Sequence, residues 1–162
     1  MTNVTISGNS RLGRLRTDTN QRPIPALLTG VKNAAIGKLF ARMADAGFGD
    51  VREGHGCVFG FIDMENGSRL TDLAEASGFT KQAVGEAVSE LERLGYLERR
   101  ACPEDGRAKI IHLTERGREA ALTGRRIFSE IEAEWAEELG PEVVAAMRSA
   151  AERIVELENQ ER

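Results

Sequence analysis

Residues Arg69–Gly117 read RLTDLAEASGFTKQAVGEAVSELERLGYLERRACPEDGRAKIIHLTERG, and their periodicity decides the fold. Thr71–Ser77 is a short amphipathic run that turns Leu73 and Ala74 inward and stops at Gly78, a residue suited to the sharp turn between crossed helices. Thr80 then stands as an N-cap before a helix over Lys81–Leu94, in which Val84, Ala87, Val88, Leu91 and Leu94 recur at helical spacing. The opposite face carries Lys81, Gln82, Gly85, Glu86, Ser89 and Arg93. Gly95 closes that helix. Two strand-like runs follow, Tyr96–Arg100 and Ala108–Leu113, joined by a turn over Pro103, Glu104, Asp105 and Gly106. Helix, turn, helix and hairpin predict a mainly α fold with a small β-wing: a winged helix-turn-helix.

That geometry suits DNA. A helix whose first turn is rich in donors can enter the major groove, where base edges present distinguishable donor and acceptor patterns. Thr80, Lys81 and Gln82 occupy that turn, with Ser89 two turns on. Gly85 lies on the same face, where a missing side chain would permit close approach; a tolerated surface glycine is the plainer alternative. On the hairpin, Asp105, Arg107 and Lys109 mark the tip, and Arg107, steered by Asp105, is placed to reach a narrow minor groove. Arg99 and Arg100 are further candidates for phosphate contacts, although charges beside a strand are commonly just solvated.

The run DGRAKIIHLTERG, Asp105–Gly117, resembles the wing signature of the MarR-type transcriptional regulators: aspartate, any residue, arginine, strand residues, then leucine, threonine and a glycine three residues on. The preceding LAEASGFTKQAVGEAVSELERLGYLERR is similar to that family's helix-turn-helix, including the leucine-glycine-tyrosine step into the wing. Motif, order and spacing agree over about 50 residues, which a lone helix-turn-helix match would not offer. The resemblance implies a homodimeric regulator on double-stranded DNA, released by a small ligand or by thiol oxidation.

Composition sets outer bounds. The 162 residues, 41% hydrophobic and 30% charged, suit one domain or two closely joined lobes. No apolar run approaches the roughly 20 residues of a membrane span, and the N-terminus lacks an apolar secretory core, so a cytoplasmic location is expected. The net charge of −4 is concentrated at the C-terminus: residues 127–162 hold 3 basic and 10 acidic side chains, against 8 and 6 in residues 1–67 and 11 and 10 in residues 68–126. A nearly neutral DNA-binding lobe still functions if its cations face the phosphates. Two cysteines, Cys57 and Cys102, are too few for a disulfide scaffold and too far apart for a zinc motif, so neither a metal nor a cofactor is expected.

Outside the wing and its helices, residues 1–22 read as a flexible tail, in which Arg11, Arg14 and Arg16 are more plainly solvated than an arm on DNA. A helix over Ala26–Ala46 places Leu27, Leu28, Val31, Ala35, Leu39 and Met43 on one buried face. The glycine-rich EGHGCVFGFIDM, Glu53–Met64, superficially suggests a dinucleotide loop, but no buried strand precedes it and no βαβ unit follows. It reads as a short helix carrying Val58, Phe59 and Ile62 inward, with Cys57 an inert buried thiol. Family pockets lie near this junction of lobes, so the resemblance makes His55 and Phe59 candidate ligand contacts; a lone histidine at a helix start is more often structural. Asn66-Gly67 turns into a strand at Ser68–Leu70, a third member of the wing sheet.

After Thr114, a long helix with Ala120, Ile127, Phe128, Ile131, Trp135 and Leu139 ends at Gly140, and Pro141 opens a last helix whose Val143, Met147, Ala150, Ile154 and Leu157 form a seam that needs a partner. The expected organisation is a tail, a helical dimerisation lobe over residues 23–48 and 114–160, and a DNA-binding lobe over residues 49–113. The functional expectation is a homodimeric repressor on a pseudo-palindromic operator, released by a small, aromatic and anionic ligand. Thiol control through Cys102, beside Arg99 and Arg100, is the alternative within that class. A winged-helix protein-interaction module without DNA is the alternative outside it. An enzyme is not expected, since no nucleophile–base pair, metal spacing or phosphate loop is present.

Overall fold

A computed structural model of the chain describes residues 22–101 and 109–160. In order these form α1 (Ile24–Asp45), a 3₁₀ turn (Glu53–His55), α2 (Gly56–Phe59), β1 (Ser68–Arg69), α3 (Leu70–Ser77), α4 (Lys81–Arg93), β2 (Leu97–Ala101), β3 (Lys109–Leu113), α5 (Glu115–Leu139) and α6 (Pro141–Gln160). The strands make one antiparallel sheet in the order β1-β3-β2, with Ser68 opposite Ile111 and Leu97 opposite Leu113. The chain divides into two units within α1, after Ala34.

In the first unit, the opening turns of α1 expose Ile24, Leu27, Leu28 and Val31. The expected burial of Leu27, Leu28 and Val31 is therefore not found, because the unit's described residues, 22–34, contain no second element to cover them.

In the second unit, helical spacing does select the core. Ala35, Leu39 and Met43 of α1 are buried, as are Leu73 and Ala74 of α3, Val84, Val88 and Leu91 of α4, and Ala120, Ile127 and Ile131 of α5. Ion pairs brace the exterior: Glu134 of α5 accepts from Lys38 Nζ at 2.6 Å and also from Arg42, while Arg148 of α6 pairs with Glu132 of α5. In α6 nothing is buried, and Val143, Met147, Ile154 and Leu157 are exposed. Trp135 packs half-buried against the core, whereas Leu139 is exposed. Among the described residues no helix is long and apolar enough to cross a membrane.

The turns follow from local chemistry. Gly78 ends α3 in the left-handed region at φ 72°, and Thr80 caps α4 by accepting the Ala83 N–H at 3.2 Å. The Leu-Thr-x-x-Gly run has a physical basis at the start of α5. Thr114 Oγ1 accepts the Gly117 N–H at 3.0 Å and donates to the Gly95 carbonyl at 2.7 Å, while the Thr114 N–H donates to the Tyr96 carbonyl at 3.0 Å. That clamps the helix start across the beginning of the wing.

Boundaries differ from expectation where a side chain or cap wins over pattern. β2 begins at Leu97 rather than Tyr96, because Gly95 turns the chain at φ 79° and the wholly buried Tyr96 ring anchors the turn. Leu70 opens α3 instead of extending β1. The expected helix over Glu53–Met64 is one 3₁₀ turn and one α turn.

Candidate nucleic-acid interface

Val84, Val88 and Leu91 turn one side of α4 into the core, so the opposite side faces outward. Gln82, Glu86, Ser89 and Arg93 are exposed there, and Lys81 is exposed in the first turn, to one side of that face. Glu86 stands almost diametrically opposite the buried stripe, given about 100° per residue. Gln82 Nε2 donates to Glu86 Oε1 at 3.1 Å, and Ser89 Oγ donates to the Gly85 carbonyl at 2.8 Å. Gly85 is half-buried, and a β-carbon there would meet only Leu70 Cδ2, at 3.9 Å. Packing therefore does not demand glycine at this position. Thr80 is committed to capping.

The strand cations are engaged within the protein. Arg99 Nη1 pairs with Glu92 Oε2 at 3.1 Å and its Nη2 donates to Ser89 Oγ at 3.4 Å, which ties β2 to the last turns of α4. Arg100 lies against Glu98, two residues back, through Nε at 2.9 Å. Lys109 is exposed at the start of β3, opposite Ala101. Cys102, Asp105 and Arg107 lie outside the described residues, as do Arg11, Arg14 and Arg16.

Behind α4, the buried His55 couples it to the 3₁₀ turn. The Arg52 backbone N–H donates to His55 Nδ1 at 3.1 Å, so Nδ1 is the acceptor and Nε2 carries the proton toward Glu90 Oε2 at 3.2 Å. Glu90 also faces Arg52 at 3.3 Å and Arg93 at 3.8 Å. The His55 hydrogen bond, followed by these cations, holds the Glu90 carboxyl below its ordinary value. A second polar cluster joins the loop after α1 to α5. The Tyr96 hydroxyl donates to Asp50, and Arg116 Nη2 reaches Asp50 Oδ2 at 2.8 Å and the Tyr96 oxygen at 3.0 Å. The Arg116 guanidinium lies 4.5 Å above the Tyr96 ring, which also meets Phe59 edge-on at 5.9 Å.

Beside these clusters, α1, the 3₁₀ turn, α2 and α5 enclose a cavity of about 420 Å³. Leu39, Phe40, Met43, Phe59, Ala121 and Phe128 supply apolar wall, and Arg52, Glu53 and Arg125 its charges. Phe59 thus lines a cavity. His55 does not: both its ring nitrogens are spent on Arg52 and Glu90, and its neighbours Glu53 and Gly56 form the wall instead. Arg52, Phe40 and Arg125 were not singled out by sequence, and Phe128 only as an apolar position of its helix, since helical spacing alone does not say that residues from α1 and α5 share a space. The buried Cys57 thiol donates to the Gly54 carbonyl at 3.1 Å, and burial pushes its pKa up, away from a reactive thiolate. Among the described residues no three His, Cys, Asp or Glu side chains converge as a metal site.

Residues 51–108 match the model of the MarR family. No curated protein matches the sequence. Solved structures with the same fold include a MarR-family transcriptional regulator from Rhodococcus sp. RHA1, 23% identical with a TM-score of 0.66, covering 81% of this chain and 91% of that one. FabT from Streptococcus pneumoniae, in complex with DNA, is 18% identical with a TM-score of 0.70 over 86% of this chain and 97% of its own. CouR from Rhodococcus jostii RHA1, bound to p-coumaroyl-CoA, is 23% identical with a TM-score of 0.67 over 85% and 95%. Residues 51–108 thus resemble the MarR family of transcription regulators, and the helix-turn-helix with its three-stranded wing is the fold of these solved structures.

Proposed function

We propose that the protein is a homodimeric repressor that binds a pseudo-palindromic operator and leaves it when a small molecule fills the cavity between α1, α2 and α5. The observation that carries the reading is the outward face of α4, where Gln82, Glu86 and Ser89 are exposed, with Lys81 to one side in the first turn, on a helix that the core grips from behind. Thr80 begins that helix and offers its backbone to phosphate, and Lys81, Gln82 and Ser89 contact bases or phosphates. Gly85 permits close approach. Arg107, oriented by Asp105, enters the flanking minor groove, with Lys109 on the neighbouring backbone. Arg99 and Arg100 supply weaker phosphate contacts after releasing their carboxylates. The DNA complex of FabT supports this use of the fold.

Dimerisation uses the helical lobe of residues 23–48 and 114–160, leaving residues 49–113 to DNA. The support is the uncovered apolar row Val143, Met147, Ile154 and Leu157 on α6, a seam a second copy would bury. For the ligand, the cavity volume falls within the range of small-molecule sites, and Phe40, Phe59 and Phe128 with Arg52 and Arg125 suit an aromatic anion. CouR, with p-coumaroyl-CoA bound, shows that a relative of this fold accommodates an aromatic acyl compound.

The test is nuclease footprinting of the gene's own upstream intergenic DNA, followed by transcription from that DNA in vitro. Two protected half-sites about one DNA turn, roughly 34 Å, apart with reduced transcript are expected. A single protected half-site, or a raised transcript, would contradict the dimeric repressor.

A further inference from the structure

We propose that Glu86 is a base-reading residue, its carboxylate accepting from the exocyclic amino group of a cytosine in the major groove of each half-site. The inference rests on the reading of α4 as the DNA-contacting helix. On that helix Glu86 occupies the middle of the outward face, one turn after Gln82 and opposite Val84, Val88 and Leu91. A carboxylate in that position faces two rows of phosphates and is repelled by both, unless the groove floor offers it a donor.

The side chain is also held. Gln82 Nε2 donates to Glu86 Oε1 at 3.1 Å, leaving Oε2 without a partner among the described residues. Only the amide nitrogen of Gln82 can face a carboxylate, so this assignment is not arbitrary. No described cation neutralises Glu86: Arg93 leans on Glu90, and Arg99 on Glu92. The free oxygen is thus an unspent acceptor at the centre of the face. In the major groove only two groups donate, cytosine N4 and adenine N6. Adenine presents its N7 acceptor beside N6, which repels a carboxylate, whereas cytosine carries no acceptor on that edge. Cytosine is the base that fits.

The experiment selects binding sites from random duplexes with the full-length chain and with Glu86→Ala and Glu86→Gln. Both substitutions are at an exposed side chain, and unchanged melting verifies their folding. The wild-type chain should demand a C·G pair at one position in each half-site, discriminating about tenfold or more against the other pairs. In Glu86→Ala that preference should fall to threefold or less, while every other position keeps its base and binding to non-specific duplex tightens as the repulsion disappears. Glu86→Gln should exchange the preference for adenine, which a carboxamide can engage through N6 and N7. If Glu86→Ala selects the wild-type site with undiminished C·G preference, Glu86 is not a reader, and the DNA-binding reading stands without it. If the wild-type chain selects no common sequence, the DNA-binding reading falls and takes this inference with it.

Discussion

A β-carbon on Gly117 would stand 2.0 Å from the carbonyl oxygen of Tyr96. The first turn of α5 runs directly over the backbone that opens the wing, and the Thr114 N–H donates to that same carbonyl. The glycine of the wing signature is therefore a close-approach residue that fixes a helix to a hairpin. Gly117→Ala should force the two apart, at a cost of about 1–3 kcal/mol from overpacking. Urea unfolding of the variant checks this, with Gly124→Ala as the contrast. A β-carbon at 124 would meet Leu39 Cδ1 and Met43 Sδ at an ordinary 4.0 Å, and removing a mid-helix glycine should stabilise by up to about 1 kcal/mol. Equal midpoints for both variants would refute the close-approach account.

Asp50 titrates below the ordinary carboxylate value, chiefly because the Tyr96 hydroxyl donates to it and then because Arg116 stands beside it. The folded value lies below the unfolded one, so the associated stability is present above about pH 4 and is lost as pH falls through the folded value. Tyr96→Phe removes the largest cause. The variant should be less stable by about 1.5–3 kcal/mol at pH 7, the range for a hydrogen bond to a charged group, and the gap should narrow toward pH 3. Denaturant melts across that range measure it; a gap that stays constant would mean that Tyr96 acts through packing alone.

Gly85 separates folding from binding. The fold has room for a methyl group at that position, its nearest neighbour being Leu70 Cδ2 at 3.9 Å. Gly85→Ala should therefore stabilise α4 by up to about 1 kcal/mol, and if α4 lies close in the groove it should weaken operator binding. Thermal melting and DNA titration on the same preparation are expected to move in opposite senses. Unchanged affinity would make Gly85 a tolerated surface glycine.

Arg107 follows β2 and precedes β3 in the sequence, outside the described residues, and the expectation for it rests on sequence. Arg107→Ala should leave the melting temperature unchanged, weaken operator binding, and reduce the salt dependence by about one phosphate contact. Full operator affinity with the wild-type salt slope would remove the arginine from the interface.

What could be read from sequence was whatever depends on neighbours in the chain. Thr80 before Lys81, Gly78 after Ser77 and Thr114 before a helix announce caps, and each is a cap in the structure. Val84, Val88 and Leu91 announce a buried stripe by spacing alone. The lateral contacts were not legible, because periodicity tells which face of an element is covered without telling by what. Asp50, Tyr96 and Arg116 meet from the loop after α1, the turn before β2 and the first turn of α5. His55 pairs with a glutamate 35 positions away, which left its role open between ligand contact and structural residue. The ion pairs of Arg99 with Glu92 and of Arg100 with Glu98 are lateral contacts of the same kind. Leu27, Leu28 and Val31 show the limit from the other side: an apolar stripe implies a partner and does not say that the same chain provides it.

Fluorescence anisotropy of the chain with its own upstream intergenic duplex and with a scrambled one, each at two salt concentrations, decides whether this fold binds that DNA as a dimer. Tight binding to the native duplex only, two chains per site and a steep loss of affinity with salt are expected. Equal, weak binding to both duplexes would contradict this expectation.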